Sequence, residues 1–294
     1  MSTTSLSTVA AIGRGLRGAM QWRLWVLWAL ITLACALLAA LPAWGWLGAA
    51  FDHSVHADAI ANGEAPALFA DAVMSREAPV ALLGGSVLAA GLLMLLASPL
   101  LAGATIAAIR SPARLGFGEL LRGAIGEYGP MLRMLLWSAL PLGVAVAVGA
   151  AILGANADAH DNAVLASELD AGRRIGLGVG ALLFVLAHAS LEAGRGWIAA
   201  DGRLRSVLKA WWRGVKLLLR RPVAVLAAWL VTSLVGFALF ALAMSLRHHV
   251  DGPGMGALLL GLGVSSLAAM ALAWGRVARL YAMAALATDM HARR

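Results

Sequence analysis

Six stretches of about 20 or more mostly apolar residues divide the sequence, and no other feature limits its fold as strongly. They cover residues 24–47, 80–109, 131–153, 175–200, 223–246 and 254–287. A helix needs about 20 such residues to cross a hydrocarbon layer of about 30 Å. Hydrophobic residues make up 61% of the chain and charged residues 13%, whereas a soluble domain carries about 25% charged residues. The sequence therefore predicts a polytopic membrane protein.

The six spans are predicted to be α-helices. Backbone N–H and C=O groups in lipid need partners within the protein, which leaves helices and closed barrels. None of the runs alternates polar and apolar residues in the way a membrane-spanning strand does. The first run is longer than the about 7–15 apolar residues of a signal peptide, so we expect it to be an uncleaved span. The expected fold is all-α, with one integral membrane domain over residues 1–294.

The distribution of charge predicts the orientation of the chain. If both termini lie on one side, that side receives 19 of the 23 basic residues and only five of the 15 acidic residues. Lys and Arg are retained in the cytoplasm during insertion, so both termini are expected to be cytoplasmic, in a bacterial inner membrane. The sequence pI of about 11.1 then reflects contact with anionic lipid headgroups. No nucleic-acid-binding motif interrupts the spans, and no nucleic-acid partner is expected.

A short amphipathic stretch precedes the first, third and fifth spans. These three stretches share a short core: Leu16-Arg17-Gly18-Ala19, Leu121-Arg122-Gly123-Ala124 and Trp212-Arg213-Gly214-Val215. Pro130 and Pro222 stand where the second and third stretches are expected to turn into their spans, because proline suits a first helical turn. The pattern predicts three helix-hairpin repeats, each preceded by a cytoplasmic amphipathic elbow helix. The predicted repeats cover residues 5–109, 115–200 and 203–290.

The third elbow, whose basic residues lie between positions 205 and 220, has the clearest amphipathic pattern. Its apolar stripe contains Leu204, Val207, Leu208, Trp211, Val215 and Leu218. Its basic stripe contains Arg205, Lys209, Arg213, Lys216 and Arg220. Such a helix is expected to lie in the inner membrane interface, with its basic face toward headgroups or cytosol. The basic stripe is therefore the candidate binding site for anionic lipids or a protein partner.

Charged residues at membrane depth form a second candidate site, because burying them in lipid is costly. His188, Glu192 and Arg195 are spaced to share one face of the fourth span. Arg276 and Arg279 lie on the sixth span at a matching depth, and Glu192 is expected to pair with one of them. The first interpretation is an ion pair that locks the two spans together. The alternative is a substrate or proton role for Glu192 and His188.

The residues that could carry metal or enzyme chemistry do not form a diagnostic pattern. Five histidines are expected on the outer side: His53, His56, His160, His248 and His249. Imidazole is a common zinc or copper ligand, but the spacing of these residues does not indicate a metal site. The GxSxG, HExxH and Walker patterns are also missing from the sequence. We expect no metal, no cofactor and no enzymatic activity.

Several short segments carry a family resemblance. They are Leu191-Glu192-Ala193-Gly194-Arg195, Ala200-Asp201-Gly202-Arg203, Trp211-Trp212-Arg213-Gly214 and Arg220-Arg221-Pro222, with Arg276, Arg279 and Leu280-Tyr281 near the end. Through them the chain resembles a broad group of bacterial six-span proteins without assigned activity. That group is similar to the membrane domain that precedes some glycerophosphodiester phosphodiesterases. The resemblance covers most of the chain and implies six spans with cytoplasmic elbow helices; the catalytic phosphodiesterase domain is absent, so it implies no activity.

The expected function is that of a non-enzymatic transport or lipid-handling component, a permease-like subunit that works with protein partners and membrane lipids. One alternative is a scaffold or sensor that organises other membrane proteins, since no substrate site is evident. A second alternative is the transmembrane subunit of an ABC exporter, because six spans preceded by an interfacial helix is its common plan. An intramembrane enzyme is disfavoured by the missing catalytic motifs.

Overall fold

The computed structural model describes residues 6–61, 63–160, 166–250 and 255–293. Over these residues the chain contains ten α-helices and no β-strand. In chain order they are α1 (Thr8–Gly18), α2 (Trp22–Phe51), α3 (Ala57–Ala61), α4 (Pro66–Met74), α5 (Val80–Arg110), α6 (Phe117–Ala159), α7 (Ala166–Ala200), α8 (Val207–Arg220), α9 (Pro222–His248) and α10 (Met255–Ala292).

Helices α2, α5, α6, α7, α9 and α10 are long and apolar enough to cross a membrane. This confirms the predicted all-α fold with six candidate spans, and it indicates a multi-pass membrane protein. The six helices contain between 27 and 43 residues, more than the about 20 that a crossing requires. Hydropathy marks only the apolar part of each helix, which is why the predicted spans are shorter than the helices.

The internal contacts of the chain define two compact units, Met1–Val26 with Pro99–Arg294, and Leu27–Ser98. In the smaller unit, Ser86 Oγ donates to the carbonyl oxygen of Ala39 at 3.3 Å and so connects α5 to α2. Large apolar side chains such as Leu41 and Leu88 are exposed there, as is expected of helices that face lipid. The single integral membrane domain stays a prediction.

Two short helices, α3 and α4, lie between α2 and α5. Gly63 has a φ of +76°, a left-handed conformation that glycine adopts without strain. Pro66 occupies the first position of α4, where its missing N–H costs no hydrogen bond.

In the larger unit, close glycine contacts join the helices of two hairpins. A side-chain carbon added at Gly149 of α6 would lie 3.1 Å from the Cα atom of Gly180 in α7. One added at Gly236 of α9 would lie 3.0 Å from the Cα atom of Gly275 in α10. Small residues let membrane helices approach closely, and van der Waals packing then stabilises the pair. Helix α10 also packs against α7, so the two hairpins share one core.

The structure differs from the predicted elbows at the second repeat. Helices α1 and α8 are separate from the spans that follow them, and α9 begins at Pro222 as predicted. The second amphipathic stretch, in contrast, is continuous with its span in α6, and Pro130 lies inside that helix. The predicted turn at Pro130 is therefore wrong. Proline is tolerated within membrane helices because neighbouring groups can satisfy the backbone group that it leaves free.

Helices α1 and α8 each lie against the second helix of a hairpin. At Gly15 of α1, an added side-chain carbon would lie 2.5 Å from the carbonyl oxygen of Ala278 in α10. At Gly214 of α8, it would lie 2.5 Å from the backbone nitrogen of Gly194 in α7. Distances below 3.0 Å leave no room for a side chain, so the two contacts depend on glycine.

The amphipathic start of α6 makes a similar contact with the end of α5. A side-chain carbon added at Gly103 of α5 would lie 2.8 Å from the carbonyl oxygen of Ala124. Gly123 of the amphipathic segment also lies against α5, because a side-chain carbon added there would overlap Cβ of Ala107. All three amphipathic segments thus contact the second helix of a hairpin through a small residue.

Candidate functional site

The buried carboxylate of Glu192 connects two spanning helices. Glu192 lies on α7 and is 5% exposed. Its Oε1 atom accepts a hydrogen bond from Nη1 of Arg195 at 2.5 Å, and its Oε2 atom lies 3.5 Å from Nε of Arg279 on α10. Arg279 also donates from Nη1 to Ser233 Oγ on α9 at 2.9 Å. This group therefore links α7, α9 and α10, and the structure brings Glu192 and Arg279 together as the sequence predicted.

His188 lies one turn before Glu192 on α7 and is held by α9. The indole nitrogen of Trp229 lies 2.8 Å from Nδ1 of His188. An indole N–H can only donate, so Nδ1 accepts, and the neutral ring carries its proton on Nε2. Phe184 stacks on the same imidazole, with 6.3 Å between ring centroids. The sequence grouped His188 with Glu192, but it held no signal for the tryptophan partner on another helix.

Arg276 lies one turn before Arg279 on α10, and its side chain is exposed. It interacts electrostatically with Glu192, Arg279 and Arg195. The group therefore contains three guanidinium groups and one carboxylate. With His188 neutral, its net charge is +2.

A second buried carboxylate, Glu127, lies on α6 and is 6% exposed. Its Oε1 atom accepts from Nη1 of Arg110 at 2.6 Å, and Nη1 of Arg205 lies 3.2 Å from its Oε2 atom. Arg110 also donates to the carbonyl oxygens of Ile198 at 2.5 Å and Ala199 at 3.3 Å. These carbonyls belong to the last turn of α7, where no intrahelical donor is available. Glu127 and Arg110 thus join the ends of α5, α6 and α7.

Sequence reasoning did not single out Glu127. One signal was present, since Glu127 is one of only five acidic residues on the basic side of the predicted topology. An acidic residue next to an apolar span, among many arginines, is a candidate for burial with an arginine. Its partners come from segments 17 and 78 residues away in the chain, and the sequence did not indicate them.

The predicted basic stripe of α8 is divided by the structure. Arg213 donates to Oδ2 of Asp201 at 2.9 Å, and its guanidinium lies 5.3 Å from the ring centroid of Trp197. The hydrogen bond from Arg213 holds the pKa of the Asp201 carboxyl below its usual value. Arg205 contacts Glu127 as described above. Both arginines therefore have a carboxylate partner within the protein, and binding of headgroups by the stripe stays a prediction.

The three remaining basic residues of the stripe, Lys209, Lys216 and Arg220, are exposed. Their spacing places them on one face of α8. The other side of α8 is buried against α7 and belongs to the protein core, including the predicted stripe residues Val207 and Leu218. The apolar side chains exposed on α8 are Leu208, which belongs to the predicted stripe, and Trp212 and Leu219, which do not. We call Lys209, Lys216 and Arg220 the α8 basic face.

The last acidic side chain near the C-terminus, Asp289, holds the N-terminal segment. Its Oδ2 atom accepts from Nη1 of Arg221 at 2.9 Å and from the backbone nitrogen of Leu6 at 3.3 Å. Arg293 donates to the Oδ1 atom at 3.2 Å. Arg221 also donates to the carbonyl oxygen of Leu6. The start of the described chain is thereby joined to the beginning of α9 and the end of α10.

Every acidic side chain on the basic side of the predicted topology is thus engaged within the protein. Glu119 is the fifth, and it accepts from the backbone nitrogen of Gly116 at 2.7 Å, which caps α6. The exposed basic residues on the same side are Arg14, Arg17, Arg114, Arg122, Arg133, Arg203, Arg205, Lys209, Lys216, Arg220, Arg276 and Arg293. Of these, Arg205 contacts Glu127 and Arg293 contacts Asp289. This part of the protein therefore presents positive charge that its own carboxylates do not neutralise.

The residues that the structure describes contain no group of three or more His, Cys, Asp or Glu side chains that could hold a metal ion. Comparisons with protein-family models, with curated proteins and with solved structures find no match for the chain. The resemblance to the six-span membrane domains described above therefore stays a prediction.

Proposed function

We propose that this chain is a non-enzymatic protein of a bacterial inner membrane with both termini in the cytoplasm. It is a transport or lipid-handling component, permease-like in plan, whose cytoplasmic end binds anionic lipid headgroups and acts with protein partners. One observation carries the proposal. The acidic side chains at that end are used in internal contacts, from Glu127 to Asp289, and the exposed basic residues are left to attract anions. Each basic residue near an anionic membrane surface contributes about 1 kcal/mol of attraction.

The proposed architecture behind this function is a chain of three repeats, each an elbow followed by a helical hairpin. In support, α1 contacts α10, the start of α6 contacts α5, and α8 contacts α7. The second and third elbows therefore lie against the second helix of the preceding repeat. The first elbow lies against the second helix of the third repeat. Repeats of two spans share their orientation in the membrane. All three elbows are then at the cytoplasmic side.

The orientation is tested by cysteine labelling in intact cells. The native Cys35 is buried and is first replaced by alanine. A cysteine at Asp58, exposed on α3, is expected to react with a membrane-impermeant maleimide, whereas one at Ser206, exposed before α8, is not. As a control, both positions should react after the membrane is permeabilised. Labelling at Ser206 in intact cells would show that the proposed orientation is wrong.

The headgroup role is tested on the α8 basic face by replacing Lys209, Lys216 and Arg220 with glutamine. Three lost charges at about 1 kcal/mol each should reduce the enrichment of phosphatidylglycerol over phosphatidylethanolamine about tenfold or more. The measurement is mass spectrometry of the lipids that co-purify with the gently extracted protein.

The matched control removes the same number of charges on the outer side of the proposed topology, through glutamine at Arg76, Arg173 and Arg174, which are all exposed. We expect this control to retain the wild-type lipid ratio. If the α8 variant keeps its anionic lipid but no longer forms chemical cross-links to a partner protein, the scaffold function replaces the lipid-handling function as the proposal. If neither lipids nor cross-links change, the basic face acts only as a topological signal.

A further inference from the structure

A cavity of about 450 Å³ lies at the end of α2, within the smaller unit Leu27–Ser98. Its walls come from one face of α2, from α3 and from α4. The lining residues that determine its chemistry are Trp44, Gly48, Phe51, Asp52, Asp58 and Phe69. Pockets that bind small molecules have volumes of about 300–1,000 Å³, so this cavity is large enough for such a ligand.

Short hydrogen-bonded turns hold the three helices around the cavity. The backbone nitrogen of Ser54 donates to the carbonyl oxygen of Phe51 at 2.8 Å, and the nitrogen of Ala57 donates to the carbonyl oxygen of Ser54 at 3.1 Å. Between α3 and α4, the carbonyl oxygen of Ala59 accepts from the nitrogen of Glu64 at 2.8 Å. Because these bonds join residues close in sequence, the walls of the cavity are formed by one continuous segment of the chain.

Aromatic rings line the cavity and remain accessible. Trp44 is 63% exposed and Phe69 is 44% exposed, while Phe51 is partly buried. The face of an aromatic ring attracts cations, and tryptophan attracts them most strongly. A ligand that combines a positive charge with an apolar surface would therefore be stabilised by these rings. Tryptophan is also common at membrane interfaces, and the neighbouring carboxylates distinguish the two roles.

Two carboxylates give the cavity a negative charge. Oδ2 of Asp52 lies 3.0 Å from the position of a side-chain carbon added at Gly48, so this carboxylate lies against the face of α2 that lines the cavity. Neither Asp52 nor Asp58 forms a hydrogen bond or ion pair through its side chain with another residue that the structure describes. Residues 27–98 contain five acidic residues and one basic residue, Arg76. This part of the chain therefore attracts cations and repels anions.

We propose that the cavity binds a small organic cation with an alkyl-substituted ammonium group. The aromatic rings contact its alkyl groups, and the carboxylates of Asp52 and Asp58 offset its charge. A metal ion fits less well, because Ca²⁺ takes about six to eight oxygen ligands and aromatic rings supply none. The ligand is a free solute and not a lipid headgroup, because the same acidic residues would repel the headgroup phosphate. The site is independent of the proposed function, which concerns the basic residues of the larger unit.

The experiment measures the binding of radiolabelled choline, which carries a trimethylammonium group, to the purified protein by scintillation proximity. Wild type is expected to bind choline saturably. Asp52→Asn combined with Asp58→Asn should weaken binding about tenfold or more, equivalent to about 1.4 kcal/mol, because both negative charges are lost. Trp44→Leu keeps an apolar side chain but removes the ring, and it should weaken binding about fivefold, equivalent to about 1 kcal/mol.

The matched controls lie in the same unit but outside the cavity. Asp71→Asn combined with Glu77→Gln removes the same charge from two exposed residues that do not line the cavity. Trp46→Leu removes a ring from α2 that also does not line it. Both controls should bind choline as wild type does. Equal loss in the Asp71 and Glu77 variant would show that only the overall charge attracts choline, and it would reject the site.

Four results with the wild-type protein would also overturn the proposal, and none of them depends on the folding of a variant. The first is the absence of saturable choline binding. The second is competition by 3,3-dimethylbutan-1-ol, the uncharged isostere of choline, as strong as that by unlabelled choline. The third is displacement of choline by Ca²⁺ at equal concentration. The fourth is loss of binding in nanodiscs of phosphatidylethanolamine, which would assign the cavity to a lipid headgroup.

Discussion

Glu192→Gln is expected to lower the stability of the detergent-solubilised protein by about 3–5 kcal/mol, because removing one partner of a buried ion pair leaves the other charge uncompensated. Here the loss affects two guanidinium groups, those of Arg195 and Arg279. The measurement is thermal unfolding followed by tryptophan fluorescence. Glu119→Gln is the control, since the exposed Glu119 only caps α6 and its loss should cost about 1 kcal/mol.

A double-mutant cycle then tests whether Glu192 and Arg279 stabilise each other. Arg279→Gln alone should also be destabilising, because it removes one of the two guanidinium groups that contact the buried Glu192 carboxylate. The double variant should be less destabilised than the sum of the two single variants, since fewer charges remain unpaired. Additive effects would mean that the 3.5 Å contact between Glu192 and Arg279 contributes nothing to the stability of the protein. If Glu192→Gln keeps its stability and loses only lipid or partner binding, the carboxylate has a functional role and not a structural one.

Gly214→Ala is expected to separate α8 from α7 and to destabilise the protein by about 3 kcal/mol or more, the upper range for overpacking. The added carbon would lie 2.5 Å from the nitrogen and 3.0 Å from the Cα atom of Gly194. Both are backbone atoms, so no side-chain rotation can relieve the overlap. The melting temperature and the yield of folded protein in detergent are the measurements.

Gly118→Ala is the matched control for this substitution. Gly118 lies in the first turn of α6, and nothing lies within 4 Å of an added side-chain carbon. Alanine there should be neutral, or stabilising by up to about 1 kcal/mol, because alanine has the higher helix propensity. Equal melting temperatures for Gly214→Ala and wild type would contradict the close α7–α8 contact.

The sequence predicted some of the contacts that the candidate-site residues make and missed others. The sequence predicted that Glu192 pairs with Arg276 or Arg279, because an acid and a base at one membrane depth have few other ways to satisfy their charges. Arg213 was placed on a free basic face, yet it contacts Asp201 and Trp197. Helical periodicity assigns a residue to a face, but it does not say what covers that face. This is also why the apolar side of α8 was expected in the membrane interface and is found in the protein core.

The sequence by itself determined that the chain forms six long apolar helices. That result follows from local properties, namely the length of each apolar run against the bilayer thickness and the need of backbone groups for internal hydrogen bonds. The tertiary structure decided how the charges at the basic end are used. Glu127 meets Arg205 across 78 residues, and Leu6 meets Asp289 across 283. Such contacts depend on which helices lie side by side, and that arrangement is set by close packing between small residues, which hydropathy does not register.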